Sequence, residues 1–149
     1  MQARVVAIAN QKGGVGKTTT TLTLGAALAR LGKRVLVMDM DPHANASVHL
    51  SQFPEMLQAT AYDLFQAERA DRELWERILK PGMKAGFDFV PGHIRLSELE
   101  VDLKDRQGKG MILTQALEQV KGRYDYVLLD CPPQVGVLLV NAIVASDLV

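Results

Sequence analysis

Cysteine is almost missing from this sequence, where Cys131 stands alone. An internal disulfide is therefore impossible, and the CxxC and mixed Cys/His patterns of structural zinc or iron–sulfur sites are excluded with it. A reducing, cytoplasmic setting is the expectation. Aromatic residues are also few: one Trp, three Tyr and four Phe, too scattered to form a base-stacking platform for single-stranded nucleic acid. Neither sign of charge is in excess. With 17 Lys plus Arg against 17 Asp plus Glu, no whole-chain field draws in nucleic acid or an anionic membrane, and a basic patch would have to be local. The longest apolar stretch, Val135 to Ala145, is interrupted by Gly136 and Asn141 and falls short of the roughly 20 residues that span a bilayer, so no membrane helix is expected. At the N-terminus the short run Val5 to Ala9 leads into a Lys- and Gly-rich loop rather than a cleavage site, so no secretory signal is expected either.

What is present is apolar bulk: 48% of the 149 residues are hydrophobic, enough for one domain with a real core. Val5 to Ala9 reads as a strand covered on both faces. From Thr18 the apolar positions Leu22, Leu24, Ala26, Ala27, Leu28 and Leu31 predict a helix ended by Gly32. Arg34 to Met40 predicts a second buried strand, which Pro42 stops, completing a βαβ unit. Further on, helices are predicted at Thr60 to Phe65, from an Asp71 cap to Leu79, at Ser97 to Leu103, at Met111 to Val120 and at Val137 to Ala145. Strands are predicted at Phe87 to Val90 and Tyr124 to Leu129, and Asp147 to Val149 looks like the approach to another.

The chemistry concentrates in Gln11-Lys12-Gly13-Gly14-Val15-Gly16-Lys17-Thr18-Thr19, between the first strand and the first helix. Gly13, Gly14 and Gly16 let consecutive N–H groups turn inward around a phosphate, with the helix N-terminus adding positive potential. In that setting Lys17 reaches the β- and γ-phosphates and the Thr18 hydroxyl ligates Mg²⁺. The bland reading of the same letters is a tight glycine turn. The ordinary pattern also wants Gly at position 11, where Gln11 stands, followed by a second lysine, Lys12.

KGGVGKT with that extra lysine resembles the deviant Walker A motif of the ParA/MinD family of ATPases, the ParA and Soj branch in particular. Two more segments support the resemblance in the right order. Asp39-Met40-Asp41-Pro42-His43-Ala44-Asn45-Ala46-Ser47 is similar to the family's DxDPQGNAT, and Tyr124 to Pro133 to its Walker B and switch II segment. Val90-Pro91 through Glu100 and Asn141 through Asp147 are similar to two further family segments, so the likeness runs from residue 4 to the last, weakest over Ser51 to Lys84.

The resemblance implies a P-loop α/β/α fold with a mostly parallel sheet, residues 1–149 forming the N-terminal portion of the family domain, with the rest of the fold beyond Val149. It implies that ATP and Mg²⁺ are bound by Lys12, Gly13, Gly14, Val15, Gly16, Lys17, Thr18 and Thr19. Asp41 would position the attacking water, Asp39 and Asp130 would hold waters of the Mg²⁺ shell, and Lys12 would cross to the partner's ATP. Implied partners are a second copy in an ATP-dependent homodimer, a ParB-like centromere-binding protein, and non-specific DNA held through regions outside this chain. The implied setting is a bacterial cytoplasm, nucleoid-associated, in chromosome or plasmid partition, with no membrane contact. Alternatives are a truncated, non-catalytic nucleotide-binding paralogue and a MinD-like positioning ATPase. The nitrogenase-iron-protein type shares the loop but needs cluster cysteines.

Other residues carry blander readings. His43, His49 and His93 lack ligand spacing, and His43 and Ala44 stand where Gln and Gly are commonest in the family pattern. Cys131 reads as a small buried filler. The Arg69, Arg72, Arg77, Lys80 and Lys84 series alternates with acids and reads as a solvated face.

Overall fold

A computed structural model describes residues 2–9 and 15–149. Four parallel strands form its sheet: β1 (Arg4–Ile8), β2 (Val35–Asp39), β3 (Asp88–Val90) and β4 (Tyr126–Asp130), in spatial order β1-β4-β2-β3. Seven α-helices accompany them among the described residues: α1 (Val15–Arg30), α2 (Asn45–His49), α3 (Ala61–Gln66), α4 (Arg72–Ile78), α5 (Leu99–Asp102), α6 (Ile112–Leu117) and α7 (Val137–Ala145).

Side-chain alternation along the strands sorts the core into two layers. Val5, Ala7, Leu36, Met38, Val127 and Leu129 pack with α3 to α7, whereas Val6, Ile8, Val35, Val37 and Leu128 pack with Leu22 and Leu28 of α1 and Ala46 of α2. Helices on both faces explain why these strands read as unbroken apolar runs. The approach is close at Gly25, where a Cβ would lie 3.0 Å from Val37 and 3.1 Å from Phe87. The predicted C-terminal stop of α1 is present: Gly32 has φ +82° and the Lys33 N–H donates to Leu28 O at 3.1 Å. α3 starts at a Thr60–Asp63 capping box and α4 at Asp71, whose carboxylate accepts from Leu74 N at 2.9 Å.

A βαβ unit invites the expectation that its second strand lies beside its first. The strand carrying Asp39 does not adjoin the P-loop strand, because β4 lies between them, pairing Ile8 with Asp130 on one side and Asp39 with Asp130 on the other. The β1-α1-β2 crossover leaves a strand-wide gap that a later, equally apolar strand fills, so three carboxyl-terminal strand ends meet at Asp130. The helix predicted at Ser97 to Leu103 is instead a 3₁₀ turn (Ile94–Glu98) running into the short α5, and α2 was not predicted at all. At the other edge of β1, Leu148 bridges Val6 in parallel, as the approach to a further strand should. Asn141 of α7 accepts from Leu113 N at 3.0 Å and donates to Lys109 O at 2.7 Å, tying α6 to α7.

Candidate nucleotide site

The first helical turn of α1 brings Lys17 and Thr18 over the carboxyl edge of the sheet, where both are buried. Lys17 Nζ pairs with Asp130 Oδ1 and lies 3.5 Å from Asp41 Oδ2. Thr18 Oγ1 donates to the other Asp130 oxygen at 3.1 Å. Burial raises the Asp130 carboxyl above its usual range against the opposing pull of Lys17 and Thr18. An ammonium this dry is costly unless paired, and removing one partner of such a pair costs about 3–5 kcal/mol. Lys17 is thus held by carboxylates where an incoming polyphosphate would compete for it.

Asp39 is tied into the loop that follows its strand. Its Oδ2 accepts from Ser47 N at 3.0 Å and Ser47 Oγ at 2.7 Å, and its Oδ1 accepts from Asp41 N at 3.2 Å. Burial outweighs these bonds and, with Asp130 nearby, raises its carboxyl to about 7. Ser47 Oγ in turn accepts from Gly92 N at 2.8 Å, and a Cβ at Gly92 would lie 2.9 Å from Asp39 O. Asp39 therefore anchors the loop from Asp41 to Ser47 and fastens it to the segment after β3. Ser47 and Gly92 are the residues that sequence reasoning missed. Ser47 closes the DxDP segment, but its tie to Gly92 spans 45 residues of chain.

That loop turns on Ala44, a non-glycine residue in the left-handed region at φ 53°, ψ 36°, with Ala44 N donating to Asp41 O at 2.9 Å. A Cβ there costs about 1–2 kcal/mol, whereas glycine loses about 0.5–1 kcal/mol more entropy on folding. Ala44→Gly is accordingly expected to stabilise the protein by about 0.5–1 kcal/mol, read as a higher urea midpoint at unchanged slope.

Of the site residues predicted from sequence, Lys17, Thr18, Asp41 and Asp130 converge, Gly16 and Thr19 are exposed on the first turn of α1, and Asp39 turns to Ser47. Lys12, Gly13 and Gly14 lie outside the described residues, and of Val15 only its place at the start of α1 is described. Among the described residues no cluster of three or more His, Cys, Asp or Glu could hold a metal ion by itself. Cys131 is buried, and burial pushes its thiol up to about 12, in keeping with a packing role.

A family model described as an AAA domain matches residues 3–149. Sporulation initiation inhibitor protein Soj of Bacillus subtilis is 42% identical over 146 residues, covering 97% of this chain and 55% of that protein. Chromosome partitioning protein ParA of Caulobacter vibrioides is 43% identical over 148 residues, covering 98% and 54%. The chain belongs to the ParA/Soj family. It spans about half the length of these curated relatives. Among solved structures, cobyrinic acid a,c-diamide synthase from Mycobacterium smegmatis, with bound ATP analogue and magnesium, superposes with a TM-score of 0.89 at 36% identity, covering 97% of this chain and 57% of that one. A plasmid partition protein from Borrelia burgdorferi superposes at 0.85 with 25% identity, covering 98% and 63%. The P-loop α/β fold and parallel sheet of this ParA/Soj-family chain agree with the sequence reading. Among the described residues no helix is long and apolar enough to cross a membrane.

Proposed function

We propose that this chain carries the ATP-binding and hydrolysing site of a partition ATPase. The observation that carries this reading is the convergence of Lys17 and Thr18, from the start of α1, on Asp130, with Asp41 facing the same ammonium at 3.5 Å. Lys17 would hold the β- and γ-phosphates, leaving Asp130 for them, while the N-terminal N–H groups of α1 supply further donors. The donor set suits Mg²⁺, a hydroxyl beside one carboxylate being what such a site offers when phosphates and water complete the shell. Thr18 and Asp130 would hold it, with Asp39 fixing the loop behind them. When bound, the metal neutralises charge on the transferring phosphate. Asp41 would orient the attacking water through the oxygen that Lys17 vacates.

Lys12 would complete the site of a second copy, making the dimer ATP-dependent and hydrolysis its reset. By family, the partners are a ParB-like protein and non-specific DNA, and the setting is the bacterial cytoplasm at the nucleoid. The names of the Caulobacter chromosome partitioning protein and the Borrelia plasmid partition protein support chromosome or plasmid partition as the task. The protein as encoded in its genome is expected to release phosphate from Mg²⁺-ATP and to sediment as a dimer with a slowly hydrolysed ATP analogue but not with ADP. Nucleotide binding with neither dimer nor phosphate release would favour the non-catalytic reading instead.

A further inference from the structure

We propose that His43 is a positioning residue for Asp41, a role that rests on the hydrolytic reading of Asp41. The His43 ring Nδ1 lies 2.8 Å from Asp41 Oδ1, and the His43 backbone N–H donates to that same oxygen at 3.0 Å. The second oxygen, Oδ2, is left facing Lys17 Nζ. A carboxylate turns easily about its last bond, where the torsion is broad and two-fold. One backbone donor leaves that rotation loosely held. A ring donor on the same oxygen pins it, so that Oδ2 stays on the side where Lys17 and the phosphates meet.

The contact also sets a requirement on the ring's tautomer. Ionised Asp41 can only accept, so Nδ1 must carry the hydrogen. The ring lies on the outer side of a buried acid: His43's side chain is 57% exposed and Asp41's 5%. A donor placed there orients Asp41 without crowding the nucleotide. The backbone bond survives any substitution at position 43, so changes there isolate the ring's contribution.

Replacing the ring tests this directly. His43→Ala is expected to lower kcat for Mg²⁺-ATP about tenfold, with KM and analogue-driven dimerisation unchanged, the loss expected for one hydrogen bond. His43→Asn places an amide N–H where Nδ1 stands and should restore most of the rate, whereas His43→Gln, whose donor sits one bond further out, should restore less. Independently of turnover, ¹⁵N NMR should show the neutral His43 ring protonated at Nδ1 and should show that preference lost in Asp41→Ala. Wild-type rates in His43→Ala alongside slow hydrolysis by Asp41→Ala would overturn the positioning role alone, as would a neutral ring with its one hydrogen on Nε2. Wild-type hydrolysis by Asp41→Ala would overturn the reading beneath it, and the positioning role with it.

Discussion

Asp41→Ala is expected to bind Mg²⁺-ATP at least as tightly as the wild type and to hydrolyse it about 10²–10⁴-fold more slowly, the usual scale for removing a group that acts on a transferring proton or an attacking water. Both halves follow from geometry. Asp41 Oδ2 lies 3.5 Å from Lys17 Nζ, so in the ground state this carboxylate would compete with phosphate for the ammonium, and its removal leaves Asp130 as the one remaining carboxylate competitor. The water exists as a nucleophile only on the way to the transition state, so the same removal costs rate. Nucleotide titration and single-turnover phosphate release on one preparation measure both. Loss of binding, with the thermal transition intact, would make Asp41 a structural residue.

The second large effect belongs to Lys12. With Lys17 proposed to serve the phosphates of its own site, a lysine five residues earlier would be free to serve another, and the family resemblance implies that it reaches the partner's ATP. A cation supplied in trans to a transferring phosphoryl group is worth about 10³–10⁵ in rate. Lys12→Ala is therefore expected to bind ATP as a monomer while losing dimerisation and hydrolysis. Mixed with Asp41→Ala protein, it should regain activity: the one site with intact Asp41 in a mixed dimer also receives an intact Lys12. A flat response across mixing ratios, with mixed dimers shown to form, would contradict the crossing.

The parts of the fold that were legible in sequence are those whose pattern is local. β1, α1, β2, β4 and α7 were each marked by an apolar run or period with a punctuating residue, and α7 begins and ends where the period placed it. Asp71 announced α4 as its cap, while Thr60, read as the first residue of a helix, is instead the cap of α3. What could not be read was set by distant partners. Asn45–His49 is too short and polar to signal a helix, and it is held from outside by the Ser47 bonds to Asp39 and Gly92. Strand order was equally invisible, since the apolar runs of β1, β2 and β4 are interchangeable as letters; only the assembled sheet puts Asp130 between Ile8 and Asp39.

The site divides along the same line. Lys17, Thr18, Asp41 and Asp130 could be picked out because a phosphate loop and strand-end acids are sequence features. Asp39 and Asp41 were given separate roles from the motif, and a two-residue offset separates a fully buried strand end, whose oxygens are taken by Ser47 and a backbone N–H, from a loop carboxylate facing the ammonium. The His43 contact depends on a side-chain rotamer, which no motif encodes.

On binding ATP, Lys17 is expected to exchange its carboxylate partners for phosphate oxygens. Calorimetric titration of Mg²⁺-ATP into the wild type and Lys17→Ala tests it most directly, with Asp130→Asn as a control for the broken buried pair. Truncating one partner of a buried charge pair costs about 2–5 kcal/mol, so affinity should fall roughly 30-fold or more in a Lys17→Ala protein that still melts cooperatively. Equal affinity in the two proteins would contradict the account.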